Sequence, residues 1–194
     1  MTPEQERKYI RQARTDPRAF VHLYDHYFSR IHAYVCYRVH SQQDAEDVVA
    51  EVFFKAIRGL RRFKWRNRNS FAAWLFRIAH NLIVDYYRRH ERVDLSLESE
   101  ESPAEMTNHA PLPEKVLVQQ ETFRHMRALI ATLSPRRQEV ITLRFFGGLR
   151  NKEIAGILGL DERTVAAHLS RGLQDLRDRY TAQTRLEVLE EVAV

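Results

Sequence analysis

The chain has 194 residues, 44% of them apolar, and a formal net charge of +5; this suffices for one ordinary domain or two small ones and excludes wholesale disorder. A single cysteine, Cys36, excludes an internal disulfide framework and a thiolate metal cluster. The N-terminus has no apolar run of signal-peptide length, and nowhere do about 18 apolar residues follow one another, so the expectation is a soluble cytoplasmic protein with no membrane partner.

The predicted elements are all helical, and glycine and proline are scarce. From Asp16-Pro17, apolar residues recur at Phe20, Leu23, Tyr24, Tyr27, Phe28, Ile31, Tyr34 and Val35, one face of a long helix. A second helix starts near Ser41, with Asp44 completing a capping-box-like pair, and runs to Gly59. Residues 61–69, RRFKWRNRN, read as too polar for a core. Ser70 caps a third helix carrying Phe71, Trp74, Leu75, Ile78, Ala79, Leu82, Ile83 and Tyr86. These make a first domain, residues 1–92. Residues 93–114 contain Pro103, Pro111 and Pro113 among Ser, Glu and Asn, and read as an extended acidic linker. Helical pattern resumes over residues 115–180, where Ser134-Pro135 starts one helix, Gly147-Gly148 ends it, and two more helices flank Gly159. Residues 181–194 form a tail with Leu186, Leu189 and Val192 at helical spacing. The expected fold is all-α, two small helical domains joined by a flexible linker.

Charge follows the same division. Residues 61–92 hold nine Arg/Lys against Asp85 and Glu91, a net of +7; residues 93–114 carry −6, and residues 134–180 carry +3. Two basic segments around an acidic one suggest two anion-binding modules and a solvated spacer. In the second, Ile154, Ala155, Leu158, Leu160, Val165 and Leu169 sit where a helix-turn-helix needs apolar contacts. Asp161 can cap its second helix, which projects Glu162, Arg163, Thr164, His168 and Arg171. In the first, basic residues interleave with Trp65, Phe71, Trp74, Phe76, Tyr86 and Tyr87. Phosphates need only cations, but an opened strand offers base faces on which aromatics stack at ~1–3 kcal/mol each. Trp74 fits the core, whereas Trp65 lies outside the helical pattern, beside Asn67 and Asn69, whose amides suit an unpaired base edge.

The residues DAEDVVAEVFFKAI at 44–57, with Phe63 and WLFRIAHNLIVDYYRR at 74–89, resemble region two of extracytoplasmic-function (ECF) sigma factors of bacterial RNA polymerase, in the sigma-70 superfamily. LSPRRQEVITLRFFGGLRNKEIAGILGLDERTVAAHLSRGLQDLR at 133–177 resembles their region four. The resemblance implies a sigma factor that binds core RNA polymerase and recognises promoter −10 and −35 elements, with no active site and no cofactor of its own. Asp44, Glu46, Asp47, Glu51 and Phe54 match the helix that docks on the polymerase clamp coiled coil. Lys64, Trp65, Arg66, Asn67, Arg68, Asn69 and Ser70 match the loop that captures a flipped −10 base. Arg77, His80, Asn81, Asp85, Tyr86, Arg88 and Arg89 match the helix that contacts the same element. Lys152, Arg163, Thr164, Ala166, Ala167, His168 and Arg171 match the −35 surface, and the second domain would touch the polymerase flap.

Two positions depart from the family pattern: Ala166-Ala167-His168 stands where basic-Ser-basic is usual, and the loop before Trp74 is about two residues longer and more basic. Small apolar side chains can meet a thymine methyl but cannot bridge a guanine. The acidic linker matches a connector whose charge could mimic nascent RNA, or it is simply soluble and self-repelling. An anti-sigma factor is a further partner the resemblance admits. The alternative is a stand-alone helix-turn-helix regulator acting without polymerase. His22 and His26 lie one helical turn apart with no third ligand in view, so no metal site is expected.

Overall fold

In the computed structural model, residues 1–39, 41–67, 69–94 and 124–192 are described, and they contain eight α-helices and no strand. Helix α1 (Pro3–Ala13) is an element the sequence pattern does not announce. Thr2 Oγ1 accepts from Gln5 N at 3.2 Å while Gln5 Oε1 accepts from Thr2 N at 2.8 Å, and Pro3 occupies the first turn. The long helix expected from Asp16 instead begins as a 3-10 turn, Pro17–Phe20, because the Asp16 carboxylate accepts from Arg18 N and tightens the entry. Helix α2 (Val21–Arg38) follows. Ser41 Oγ accepts from Asp44 N to start α3 (Gln42–Gly59), and α4 (Ser70–Asp94) follows the basic loop. The second group comprises α5 (124–131), α6 (Pro135–Phe145), α7 (Asn151–Leu158) and α8 (Glu162–Val192). The last runs through most of the expected tail. The expected linker lies, apart from its first two residues, outside the described residues.

The periodic apolar positions close the first core. Leu23, Ile31 and Tyr34 of α2, Val52 of α3, and Phe71, Leu75 and Phe76 of α4 are all fully buried. Such side chains each contribute roughly 1.5–3 kcal/mol by leaving water. Phe63 is also buried, contrary to the reading of residues 61–69 as too polar for a core; its ring lies edge-on to Phe71 at 5.4 Å and tilted on Trp74 at 5.0 Å. One buried polar pair joins α1 to α2, where the Tyr27 hydroxyl donates to the Glu6 carboxylate, whose pKa burial pushes up.

In the second group, Leu143, Leu149, Ile154 and Val165 are fully buried. Gly159 ends α7 at φ 66°, a left-handed conformation that lets the chain reverse into α8. A Cβ on Gly172 would stand 2.6 Å from Ile141 Cδ1, so the missing side chain is what lets α8 cross α6 this closely. The two groups are not separate bodies. One cluster of buried side chains runs from Leu23 and Phe76 through Leu143 and Ile154, and the Tyr37 ring of α2 lies 4.7 Å from that of Phe146.

Candidate nucleic-acid and partner interfaces

The basic loop is built around Ser70. Its hydroxyl accepts from Arg66 N at 3.2 Å and Asn67 N at 3.4 Å and donates to Asn67 O at 2.8 Å, while Asn67 Oδ1 accepts from Asn69 N at 3.1 Å. Buried Phe63 anchors the loop's start, and the Arg14 guanidinium donates to its carbonyl. Lys64, Arg66 and Asn67 are exposed, and Trp65 is half-buried against the core. Arg68 lies outside the described residues. The loop, Trp74 and the start of α7 enclose a cleft of about 890 Å³ whose walls include Arg62, Lys64, Arg66 and Lys152. Cations above an aromatic wall suit a phosphate backbone with an unstacked base.

Along α4 the predicted contact residues divide. Asn81, Arg88 and Arg89 are exposed. Asp85 accepts from Arg88 at 3.0 Å through its carboxylate and from Arg89 Nε at 3.2 Å through its carbonyl. Arg77 donates to Gly156 O at 3.0 Å, and the Asn69 amide donates to Glu153 Oε2 at 3.1 Å. The His80 ring is largely buried, 3.9 Å from Glu139; burial holds its pKa below the ordinary imidazole value although Glu139 opposes the shift. Tyr86 donates to Asp44 Oδ2 at 2.9 Å, tying α4 to the acidic helix.

On α3 the acids gather as their spacing requires. Asp44, Asp47 and Glu51 line one groove of about 920 Å³ against α4, to which Asp85 adds a fourth carboxylate. Glu46 is exposed and accepts from Gln42 at 3.0 Å; Glu51 lies 3.6 Å from Lys55. Phe54 is 52% exposed, with the Arg58 guanidinium 5.3 Å from the centre of its ring. An exposed phenyl ring beside a line of carboxylates suits a basic, partly apolar protein surface.

The recognition helix is differently kept. Asp161 accepts from Thr164 N at 2.8 Å and Thr164 Oγ1 at 2.5 Å, bonds that hold its pKa below the ordinary carboxylate value. The Thr164 hydroxyl is thus engaged by the cap. Arg163, Arg171 and Lys152 are exposed, while Ala166, Ala167 and His168 are half-buried. Sequence reasoning missed Arg30, Arg38 and Glu139, which join the two groups of helices. Glu139, the one acid in the apolar run of α6, was the available signal.

Among the described residues no group of three His, Cys, Asp or Glu side chains could hold a metal ion, and no helix is long and apolar enough to cross a membrane.

Helices carrying a helix-turn-helix, an acidic helix and a basic aromatic loop define a transcription-type protein. Comparison with known proteins gives the family. Residues 23–93 match Sigma-70 region 2 and residues 124–176 match Sigma-70, region 4. The chain is 31% identical over 180 residues to the ECF RNA polymerase sigma factor SigW of Bacillus subtilis, covering 88% of this chain and 94% of that one. It is also 31% identical over 158 residues to the ECF sigma factor BldN of Streptomyces coelicolor, covering 81% of this chain but only 59% of BldN. The solved structure of CnrH, in complex with the cytosolic domain of CnrY, shares the fold at a TM-score of 0.66 and 24% identity, covering 91% of this chain and 97% of that one. The chain therefore belongs to the ECF family of RNA polymerase sigma factors.

Proposed function

We propose that this sigma factor docks on core RNA polymerase through the α3 face and directs it to promoters by recognising −10 and −35 elements. The observation that carries the proposal is the presence, on one chain, of an acidic aromatic face and two basic surfaces of different kinds. Asp44, Asp47 and Glu51 with Phe54 would meet a basic helical surface on the polymerase clamp. Lys64, Arg66 and Arg77 would hold the phosphates of an opened −10 strand while Trp65 and Trp74 offer faces for stacking. Asn67 and Asn69 would read the edge of a flipped base, and Asn81, Arg88 and Arg89 would follow the strand.

The second domain would read −35 duplex DNA. The N-terminus of α8 supplies a positive dipole end to a phosphate, and Arg163, Arg171 and Lys152 supply charge. Ala166 and Ala167 would contact thymine methyls, so readout there is by shape and apolar contact rather than by guanine bridging. The chain contributes no catalytic group; RNA synthesis stays with the core enzyme. Promoter DNA and core polymerase would be its partners in the cytoplasm, and an anti-sigma factor is compatible with the fold, since the similarly folded sigma factor RpoE of Bartonella quintana was solved in complex with the anti-sigma factor NepR.

Run-off transcription with purified core polymerase on a library of promoter-like fragments tests this. Template-selective transcripts appearing only when the protein is added are expected. No transcripts, together with failure to co-migrate with core on a sizing column, would overturn the proposal and leave a stand-alone helix-turn-helix regulator.

A further inference from the structure

The basic loop is held at both ends, from different parts of the chain. Ser70 ties down its exit through Arg66 N and Asn67 N. At its entry, Phe63 N donates to Leu60 O at 3.2 Å, closing the turn that follows α3. The Phe63 carbonyl in turn accepts from the Arg14 guanidinium, 49 positions earlier in the chain. A peptide unit is planar, so fixing that oxygen also fixes the N–H and Cα of Lys64. The direction in which the chain enters Lys64 and Trp65 is thereby set from α1.

Packing alone does not favour an arginine at this position. The Arg14 Nε is buried with no hydrogen-bond partner among the described residues, and a buried donor left unpaired costs stability. Nor does α1 need Arg14 to stay in place. Ile10 and Ala13 are buried, Tyr27 donates to Glu6, and the Tyr9 ring lies 4.2 Å from that of His22. The Phe63 ring is likewise held without it, against Phe71 and Trp74. What the Arg14 bond adds is the orientation of one peptide unit, where the loop leaves the core. Arg14 precedes residues 23–93, the part matched to Sigma-70 region 2.

We infer that Arg14 is a positioning residue for capture of the −10 strand: from α1 it orients the Phe63–Lys64 peptide and so aims the basic loop. The inference rests on the assignment of that loop to the −10 strand. Arg14 is half-buried and its guanidinium is engaged by the loop backbone, so it acts through Lys64, Trp65 and Asn67 rather than on DNA directly. Its loss therefore blurs base discrimination instead of removing a phosphate contact.

The test uses the full chain with core polymerase, as wild type and as three single variants. Arg14→Met removes the bond and keeps an apolar stem, Arg14→Lys keeps one donor, and Arg11→Met removes the same charge from an exposed position of α1. Run-off transcripts are compared between the promoter's own −10 element and versions with one base of that element changed. Arg14→Met is expected to lower the preference for the native element about tenfold, near the discrimination carried by one good base contact. Arg14→Lys should keep most of the preference and Arg11→Met all of it, and the salt slope of −35 duplex binding should not move in any variant. A preference unchanged in Arg14→Met, or lost equally in Arg11→Met, would overturn the inference. So would a loss of transcripts equal on every −10 sequence, the mark of a merely structural role. Should circular dichroism show Arg14→Met unfolded, Arg14→Gln carries the same comparison with the same outcomes. Failure of the underlying sigma assignment would appear separately, as absence of promoter-selective transcripts from the wild-type chain.

Discussion

The two surfaces suited to DNA differ in how free they are. On the loop and α4, several polar groups are already engaged: Ser70 holds the backbone of Arg66 and Asn67, Asn69 binds Glu153, and Arg77 binds an α7 carbonyl. On α8, Arg163 and Arg171 are exposed, and of the residues suited to DNA Thr164 is committed to its own helix cap. The contrast follows from chemistry. A loop without regular structure must satisfy its backbone with side chains, whereas a helix satisfies its own and leaves side chains for a partner. The loop is therefore sensitive to losses of packing and hydrogen bonding, and the recognition helix to losses of charge.

The largest way to break this contrast is to remove the loop's foundation. Phe71→Ala empties a fully buried site against Phe63, Trp74 and Tyr27, and should cost about 3–5 kcal/mol in denaturant unfolding. Phe145→Ala, at a ring 62% exposed on α6, should stay within about 0.5 kcal/mol of wild type. Ser70→Ala tests the loop alone: it removes the acceptor of Arg66 N and Asn67 N and should cost about 1 kcal/mol, with a matching loss in −10 affinity of the holoenzyme.

Arg163→Ala and Arg171→Ala should leave stability unchanged. Each should instead lower the salt slope of holoenzyme binding to duplex −35 DNA by about one, the change expected when one phosphate is no longer neutralised, read by titrating binding against salt. The smallest effect concerns His80, which Glu139, Arg38 and Arg136 face. Its pKa is depressed on folding, so the stability it contributes is present above the unfolded imidazole value of about 6.5 and is lost as pH falls below it. Thermal midpoints measured between pH 7.5 and 5.5 should fall more for wild type than for His80→Gln.

Much of the fold is legible in the sequence because the information is local. The apolar periods of α2 and α4, the Ser41 cap, and the Ile154, Ala155, Leu158 and Val165 pattern around Gly159 each lie within a turn or two of one another. The acids of α3 share a groove for the same reason. Two features are hidden: α1, whose burial rests on few residues such as Ile10 and Ala13 among charges, and Phe63, which stands between cations. The contacts between the domains are hidden for a stronger reason. The residues that form them are 79 to 117 positions apart, and no periodicity links Arg30 to Phe146 or Arg38 to Glu139.

Promoter opening by the holoenzyme is tested most directly by permanganate reactivity of thymines on a promoter chosen by run-off transcription. Reactive thymines are expected within the −10 element only when core polymerase and this protein are both present, and should disappear with the double variant Lys64→Ala, Trp65→Ala. Reactivity indifferent to those substitutions, or protection of the −35 element with no opened −10 strand, would contradict the assignment of the basic loop to the −10 strand.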